Sequence, residues 1–131
     1  MINVIIASDE VFGLNGGDRQ WWQQTHRLHA DELAARMKTY LMSARRGTNG
    51  CLELGAADRP ERLYWRGRRL RVYQLIAWGQ ARSVPLPKQV VRHLCNNRAC
   101  INPKHLRIGT QAENLYDQLV AKAKAPDWSH P

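Results

Sequence analysis

The apolar and polar positions of the chain alternate with two periods, which divide it into helical and extended segments. Residues 1–7 are mostly apolar and predict a short buried strand, followed by a glycine-rich turn through Gly13, Gly16 and Gly17. Residues 31–46 have the helical period and predict an amphipathic helix that Gly47 ends. Its apolar stripe, which favours core packing over a partner groove, consists of Leu33, Met37, Tyr40, Leu41 and Ala44.

Extended segments predominate after Cys51. Residues 63–65 and 68–72 predict the two strands of a hairpin, because the Arg66-Gly67 dipeptide between them favours a tight turn. A short helix should follow, with Val72, Leu75, Ile76 and Gly79 facing inward and Trp78 beside them. Pro85 and Pro87 then predict an extended link into a strand at Val90 and Val91.

A last helix is predicted near the C-terminus. Thr110 and Glu113 have the spacing of a capping box, so the helix should begin after Thr110 and end before Pro126. Asn114 would lie in the first turn, where backbone N–H groups and the helix dipole favour phosphate. Its amide oxygen is also a suitable ligand for Mg²⁺. Residues 125–131 are expected to form a loose tail.

A candidate zinc site follows the strand at Val90. Cys95, Cys100 and His105 are spaced at two intervals of five residues, in a segment whose asparagines and Pro103 oppose regular structure. Cys51 is the remaining cysteine of the three in the chain, and it completes a Cys₃His set of the kind that structural zinc takes. The alternative is a group of buried free thiols with a surface histidine.

Length and charge restrict the classes of protein. A chain of 131 residues suits one domain, and without a long apolar run or a secretory pattern we expect a soluble cytoplasmic protein without membrane contact. A reducing compartment favours metal binding over disulfides. The net charge of +9 indicates a polyanionic partner, or a generally solvated basic surface.

The predicted hairpin is densely basic and is the candidate DNA-binding element. A two-stranded ribbon can enter a major groove, with alternate side chains on one face. A solvated hairpin is the alternative. The candidate DNA-binding residues are Arg66, Arg68, Arg69 and Arg71.

The candidate zinc site and the residues around it resemble those of a known class of nucleases. His93-Leu94-Cys95, Cys100, Asn102-Pro103, His105-Leu106 and Asn114 are similar to the HNH endonucleases. The likeness is strongest to the zinc-binding His-Cys box homing endonucleases of the His-Me finger, or ββα-metal, superfamily. The segment from Gly50 to Glu53 also resembles the start of phage-type HNH proteins. The resemblance covers roughly residues 49 to 118.

The resemblance implies a role for each matching residue. His93 would be the general base, Asn114 the ligand of a catalytic Mg²⁺ and Asn102 the residue that holds the loop in place. Either Arg69 or Arg71 would lie near the scissile phosphate. The structural zinc ligands would be Cys51, Cys95, Cys100 and His105. The chain departs from many HNH proteins at Arg92, where they carry an acidic second metal ligand.

We therefore expect an α+β fold in which a small zinc-stapled ββα-metal core carries a β-hairpin and an N-terminal helical extension. The extension would span residues 1–48, the nuclease core 49–124 and the tail 125–131. The expected activity is metal-dependent hydrolysis of double-stranded DNA to 5′-phosphate and 3′-hydroxyl ends, in a phage-encoded or related mobile enzyme. A zinc-containing DNA-binding module without catalysis is the alternative, and both a monomer and a homodimer remain open.

Overall fold

A computed structural model describes residues 16–110 together with residues 112, 116 and 119. The predicted strand at residues 1–7, Gly13 of the predicted turn, Asn114 and the tail lie outside the described residues. Glu113, the predicted capping-box partner of Thr110, also lies outside them, and Thr110 itself is the last residue of a strand. Residues 112, 116 and 119 are helical, in the region where the last helix is predicted.

The described chain contains three helices: α1 at Gly16–Leu28, α2 at Ala30–Ser43 and α3 at Val72–Ala81. The turn predicted at Gly16 and Gly17 is wrong, because these glycines begin α1. Burial of Trp21, Trp22 and Thr25 on one side of α1 outweighs the low helix propensity of glycine. None of the helices in this part of the chain has the length and apolar character that crossing a bilayer requires.

Helix α2 has the stripe that the sequence predicts but ends earlier than predicted. Leu33 is buried, and the other members of the stripe are partly buried against the main core, so the core-packing prediction is confirmed. The helix stops at Ser43 rather than at residue 46, because Ala44 is extended and the next two residues form a strand. Pairing with a later strand thus overrides local helix propensity there.

In the described part of the chain the strands are short and pair two by two in antiparallel fashion, and a single antiparallel bridge joins Glu53 to Cys100. They are β1 at Arg45–Arg46, β2 at Leu52–Glu53, β3 at Gly55–Ala56, β4 at Arg59–Pro60, β5 at Arg62–Trp65, β6 at Arg68–Arg71, β7 at Gln89–His93 and β8 at Leu106–Thr110. The pairs are β1 with β2, β3 with β4, β5 with β6 and β7 with β8.

The basic hairpin β5–β6 is confirmed with its turn at Arg66-Gly67. Both turn residues have positive φ, 49° and 78°, the conformation that a two-residue turn needs to match the twist of the strands. Strand β6 ends at Arg71, one residue earlier than predicted, because Val72 begins α3. The hairpin therefore leads directly into the central helix.

The core surrounds α3, whose residues from Val72 to Gly79 are all buried. Trp21 packs edge-on against both Trp22 and Trp65, with ring centroids 5.0 and 5.6 Å apart. Such edge-to-face pairs add stability beyond the area that they bury. Helices α1 and α2 therefore close one side of the core, while β7 and β8 contact α3 from another.

Candidate metal centre and adjoining histidine

The hairpin β7–β8 holds the site at the end where its connecting loop begins. Val90 and Val91 are buried, and the last pair of the register joins His93 to Leu106. The loop between these two residues carries three of the predicted zinc ligands. A backbone hydrogen bond of 2.8 Å from Leu94 N to His105 O extends the pairing into the loop. The strands thus place His93 directly beside the ligand loop.

Asparagines shape the ligand loop. The side-chain oxygen of Asn97 accepts a hydrogen bond from Ala99 N at 3.0 Å, and the backbone carbonyl of Asn97 accepts one from Cys100 N at 3.0 Å. Asn97 also donates to the Glu53 carboxylate at 2.9 Å, which ties the loop to β2. Such local side-chain bonds favour turns over regular structure.

Asn102 joins the loop to the segment that carries Cys51. Its Nδ2 donates to Gly50 O at 2.7 Å, and its Oδ1 accepts from Lys104 N at 3.0 Å. Gly50 has a φ of +82°, a conformation that glycine adopts at little cost. One amide side chain therefore holds together two segments that are distant in sequence, as the resemblance implies for this residue.

The four predicted ligands converge. Cys51, Cys95 and Cys100 are buried, and their sulfur atoms lie with a nitrogen of His105 within 4.8 Å of one another. His105 Nδ1 is 3.4 Å from Cys100 Sγ and 3.7 Å from Cys51 Sγ. A tetrahedral zinc, with bonds of about 2.3 Å to sulfur and about 2.0 Å to nitrogen, separates those two kinds of ligand by about 3.5 Å. The donor set and its spacing fit a structural zinc.

The chemistry of the thiols agrees with a bound cation. A hydrogen bond with Cys95 lowers the pKa of Cys100 to about 5. The same hydrogen bond raises the pKa of Cys95, and burial raises it further. Burial raises the pKa of Cys51 to about 11. Without a cation, three thiolate charges in one buried cluster would repel one another. A divalent ion would compensate the three thiolate charges.

His93 is half-buried next to this cluster and has a defined orientation. Its Nε2 is 3.2 Å from Cys100 O, and the ring of Tyr73 packs edge-on at a centroid distance of 4.4 Å. Because a carbonyl only accepts, Nε2 must carry the proton, which makes Nδ1 the basic nitrogen. Burial and the charge of Arg98 lower the pKa of His93 to about 4, so the imidazole is neutral at neutral pH.

Comparison with known proteins assigns the family. A model of the zinc-binding loop region of homing endonuclease matches residues 35–124, more than half of the chain. The chain belongs to this family. The match supports a nuclease-type domain and a structural zinc, and it agrees with the α+β fold and its Cys₃His cluster. No curated protein and no solved structure matches the chain.

The homing-endonuclease match includes the basic hairpin, whose predicted DNA-binding arginines have different surroundings. The guanidinium of Arg66 lies over the rings of Trp21 and Trp65 and donates to Thr25 Oγ1. Arg68 forms a 2.8 Å ion pair with the buried Asp18.

The other two arginines differ from each other. Arg71 is buried, and its Nη1 donates to Pro60 O at 2.5 Å. Arg69 is exposed. Of the four predicted DNA contacts, Arg66 and Arg68 therefore attach the hairpin to α1, Arg71 attaches it to β4, and Arg69 faces solvent.

Two residues near His93 are absent from the sequence-based prediction. Tyr73 contacts the His93 ring, and its hydroxyl accepts a hydrogen bond from Arg98 Nη2 at 3.2 Å. The local signal for Tyr73 is weak, but a tyrosine inside an apolar helix requires a partner for its hydroxyl. Nothing in the local sequence distinguishes Arg98 from an ordinary surface arginine.

Proposed function

We propose that this member of the homing-endonuclease family is a metal-dependent DNA endonuclease that hydrolyses phosphodiester bonds. One observation carries the proposal: the His93 imidazole is held by the Cys100 carbonyl at the edge of a Cys₃His cluster. Zinc would fix the position of that carbonyl, and the carbonyl would fix the tautomer of the histidine. The loop therefore supports a general base whose basic atom is Nδ1.

The proposed reaction uses His93 to activate water. The water oxygen forms a bond to phosphorus while its proton passes to Nδ1, and the bond between phosphorus and the 3′ oxygen breaks. The leaving oxygen takes a proton from solvent. One water is consumed for each bond, and the family resemblance implies 5′-phosphate and 3′-hydroxyl ends.

A second cation is part of the proposal. Asn114, the predicted Mg²⁺ ligand, lies outside the described residues, so this part rests on the resemblance. Mg²⁺ or another hard divalent cation there would neutralise charge on the phosphate and on the leaving oxygen. Arg92 occupies the position before His93, so no carboxylate adds to the donor set at that position.

Double-stranded DNA is the proposed substrate. The net charge of +9 favours a polyanion through counterion release. In the hairpin, Arg69 can contact DNA without first leaving a buried position. The arginines that pack on α1 and β4 would support the hairpin rather than bind phosphate themselves.

Plasmid nicking tests the proposal. The zinc-loaded chain should nick supercoiled plasmid with Mg²⁺ and stop in excess EDTA, and Mg²⁺ with restored zinc should recover the activity. His93→Ala should abolish nicking and retain DNA binding and zinc content. His29→Ala is the matched control, since His29 lies at the start of α2 beside Trp65.

Three outcomes would contradict the proposal. They are nicking that persists in excess EDTA, cleavage by His93→Ala at the wild-type rate, and tight DNA binding by the wild type without nicking of any DNA. The last outcome would favour the non-catalytic zinc-containing DNA-binding module.

A further inference from the structure

A chain of contacts links His93 to an arginine on the zinc loop. The His93 ring packs on Tyr73 at 4.4 Å, and the Tyr73 hydroxyl accepts a 3.2 Å hydrogen bond from Arg98. Tyr73 lies in α3 and is only 1 % exposed, so its ring has little freedom to move. The imidazole and the guanidinium therefore contact two parts of the same buried side chain.

The backbone of Arg98 is restrained as well. Arg98 lies between the predicted ligands Cys95 and Cys100, and the Asn97 side chain caps the turn by accepting from Ala99 N. On the other side, Leu54 N donates to Ala99 O at 3.0 Å, which joins the loop to the chain after β2. A charged group held in this way loses little entropy on binding a ligand.

The chemistry of a guanidinium next to a general base suits a phosphodiester. Arginine has N–H donors in a planar fork, and Nη2 of Arg98 donates to the Tyr73 hydroxyl. Charge-assisted bonds to phosphate are stronger than neutral ones, above all where the site is partly shielded from water.

We propose that Arg98 contacts the phosphate that is cleaved, and that Tyr73 positions its guanidinium relative to His93. This inference rests on the proposed nuclease function. The family resemblance implies this role for Arg69 or Arg71, but Arg71 is buried and bound to the Pro60 carbonyl. Arg98 instead shares its supporting side chain with the proposed base.

Single-turnover nicking by the zinc-loaded full chain tests the proposal. Arg98→Met should slow cleavage by about 100-fold, the usual effect of removing one donor to a developing anion. Arg98→Lys should recover part of the rate because it keeps the charge. Tyr73→Phe keeps the ring on His93 but removes the hydroxyl, and it should slow cleavage by about tenfold. DNA affinity at fixed salt should change less than the cleavage rate in each variant.

Arg27→Met is the matched control, because Arg27 is exposed on α1. It removes the same charge and should leave the cleavage rate within about twofold of the wild type, because a single exposed charge has a small effect. Zinc content is measured for every variant.

The possible failures can be distinguished. A wild type that does not nick DNA contradicts the proposed function itself. If Arg98→Met nicks DNA as fast as Arg27→Met does, only the role of Arg98 is overturned. The same holds if Arg98→Lys cleaves as slowly as Arg98→Met. Loss of zinc from both Arg98 variants would make Arg98 a structural residue and would also overturn the proposal.

Discussion

Replacement of His105 by alanine should strongly weaken zinc binding. His105 Nδ1 lies 3.4 Å from Cys100 Sγ and 3.7 Å from Cys51 Sγ, so it would supply the fourth corner of the tetrahedron. Structural zinc sites bind with about 10–16 kcal/mol. If four ligands contribute equally, the loss of one costs about 2.5–4 kcal/mol, or about 10²–10³-fold in the dissociation constant.

The effect should reach His93 through the loop. The three cysteines form a small buried cluster of their own, separate from the main core around α3. Without the ion the three thiols would lose their common partner. Ile101 would still hold one side of the loop in the main core, while the neighbouring Cys100 carbonyl would be less firmly fixed under His93 Nε2. The rest of the domain should stay folded, because the tryptophan cluster does not depend on zinc.

Competition with a chromogenic chelator measures the zinc affinity, and circular dichroism measures the remaining fold. His29→Ala removes a histidine from the start of α2 and should keep the wild-type affinity and one zinc per chain. A His105→Ala variant with wild-type affinity would refute the ligand set. Complete unfolding of the domain on zinc removal would refute the independence of the main core.

Four further predictions concern stability and are checked by urea unfolding. Gly67→Ala should cost about 1 kcal/mol, because Gly67 has a φ of +78° with no atom near an added Cβ. Gly55→Ala should cost about 3 kcal/mol, since its Cβ would also meet a backbone carbonyl oxygen at 2.6 Å, and equal costs for the two glycines would contradict this account. Asp18→Asn should cost about 2 kcal/mol by removing the charge that pairs with Arg68, and a neutral effect would show that this pair does not attach the hairpin to α1. Trp22→Ala should cost about 3–5 kcal/mol because Trp22 is fully buried, unless the cavity collapses, in which case the loss would be much smaller.

Local patterns predicted the elements that their own residues determine. The amphipathic stripe of α2 and the Arg66-Gly67 turn depend on periodicity and turn chemistry, and both are confirmed. The residues of α3 that were predicted to face inward are buried, but so are Tyr73, Gln74 and Ala77 between them. The start of α1 and the end of α2 depend on contacts with distant segments, and both predictions were wrong. A glycine pair begins a helix here because tryptophans beyond it are buried.

The sequence by itself determined the donor set of the zinc site, because the chain has three cysteines and all of them converge with His105. Thiol and imidazole groups have few common roles in such a loop, so their spacing is informative without a structure. The roles of the arginines were decided only by the tertiary structure. A guanidinium can bind phosphate, cover an indole ring or pair with a buried carboxylate, and the local sequence is compatible with all three. Packing of α1 against the hairpin gives Arg66 and Arg68 partners within the protein, whereas Arg98 and His93 both contact Tyr73.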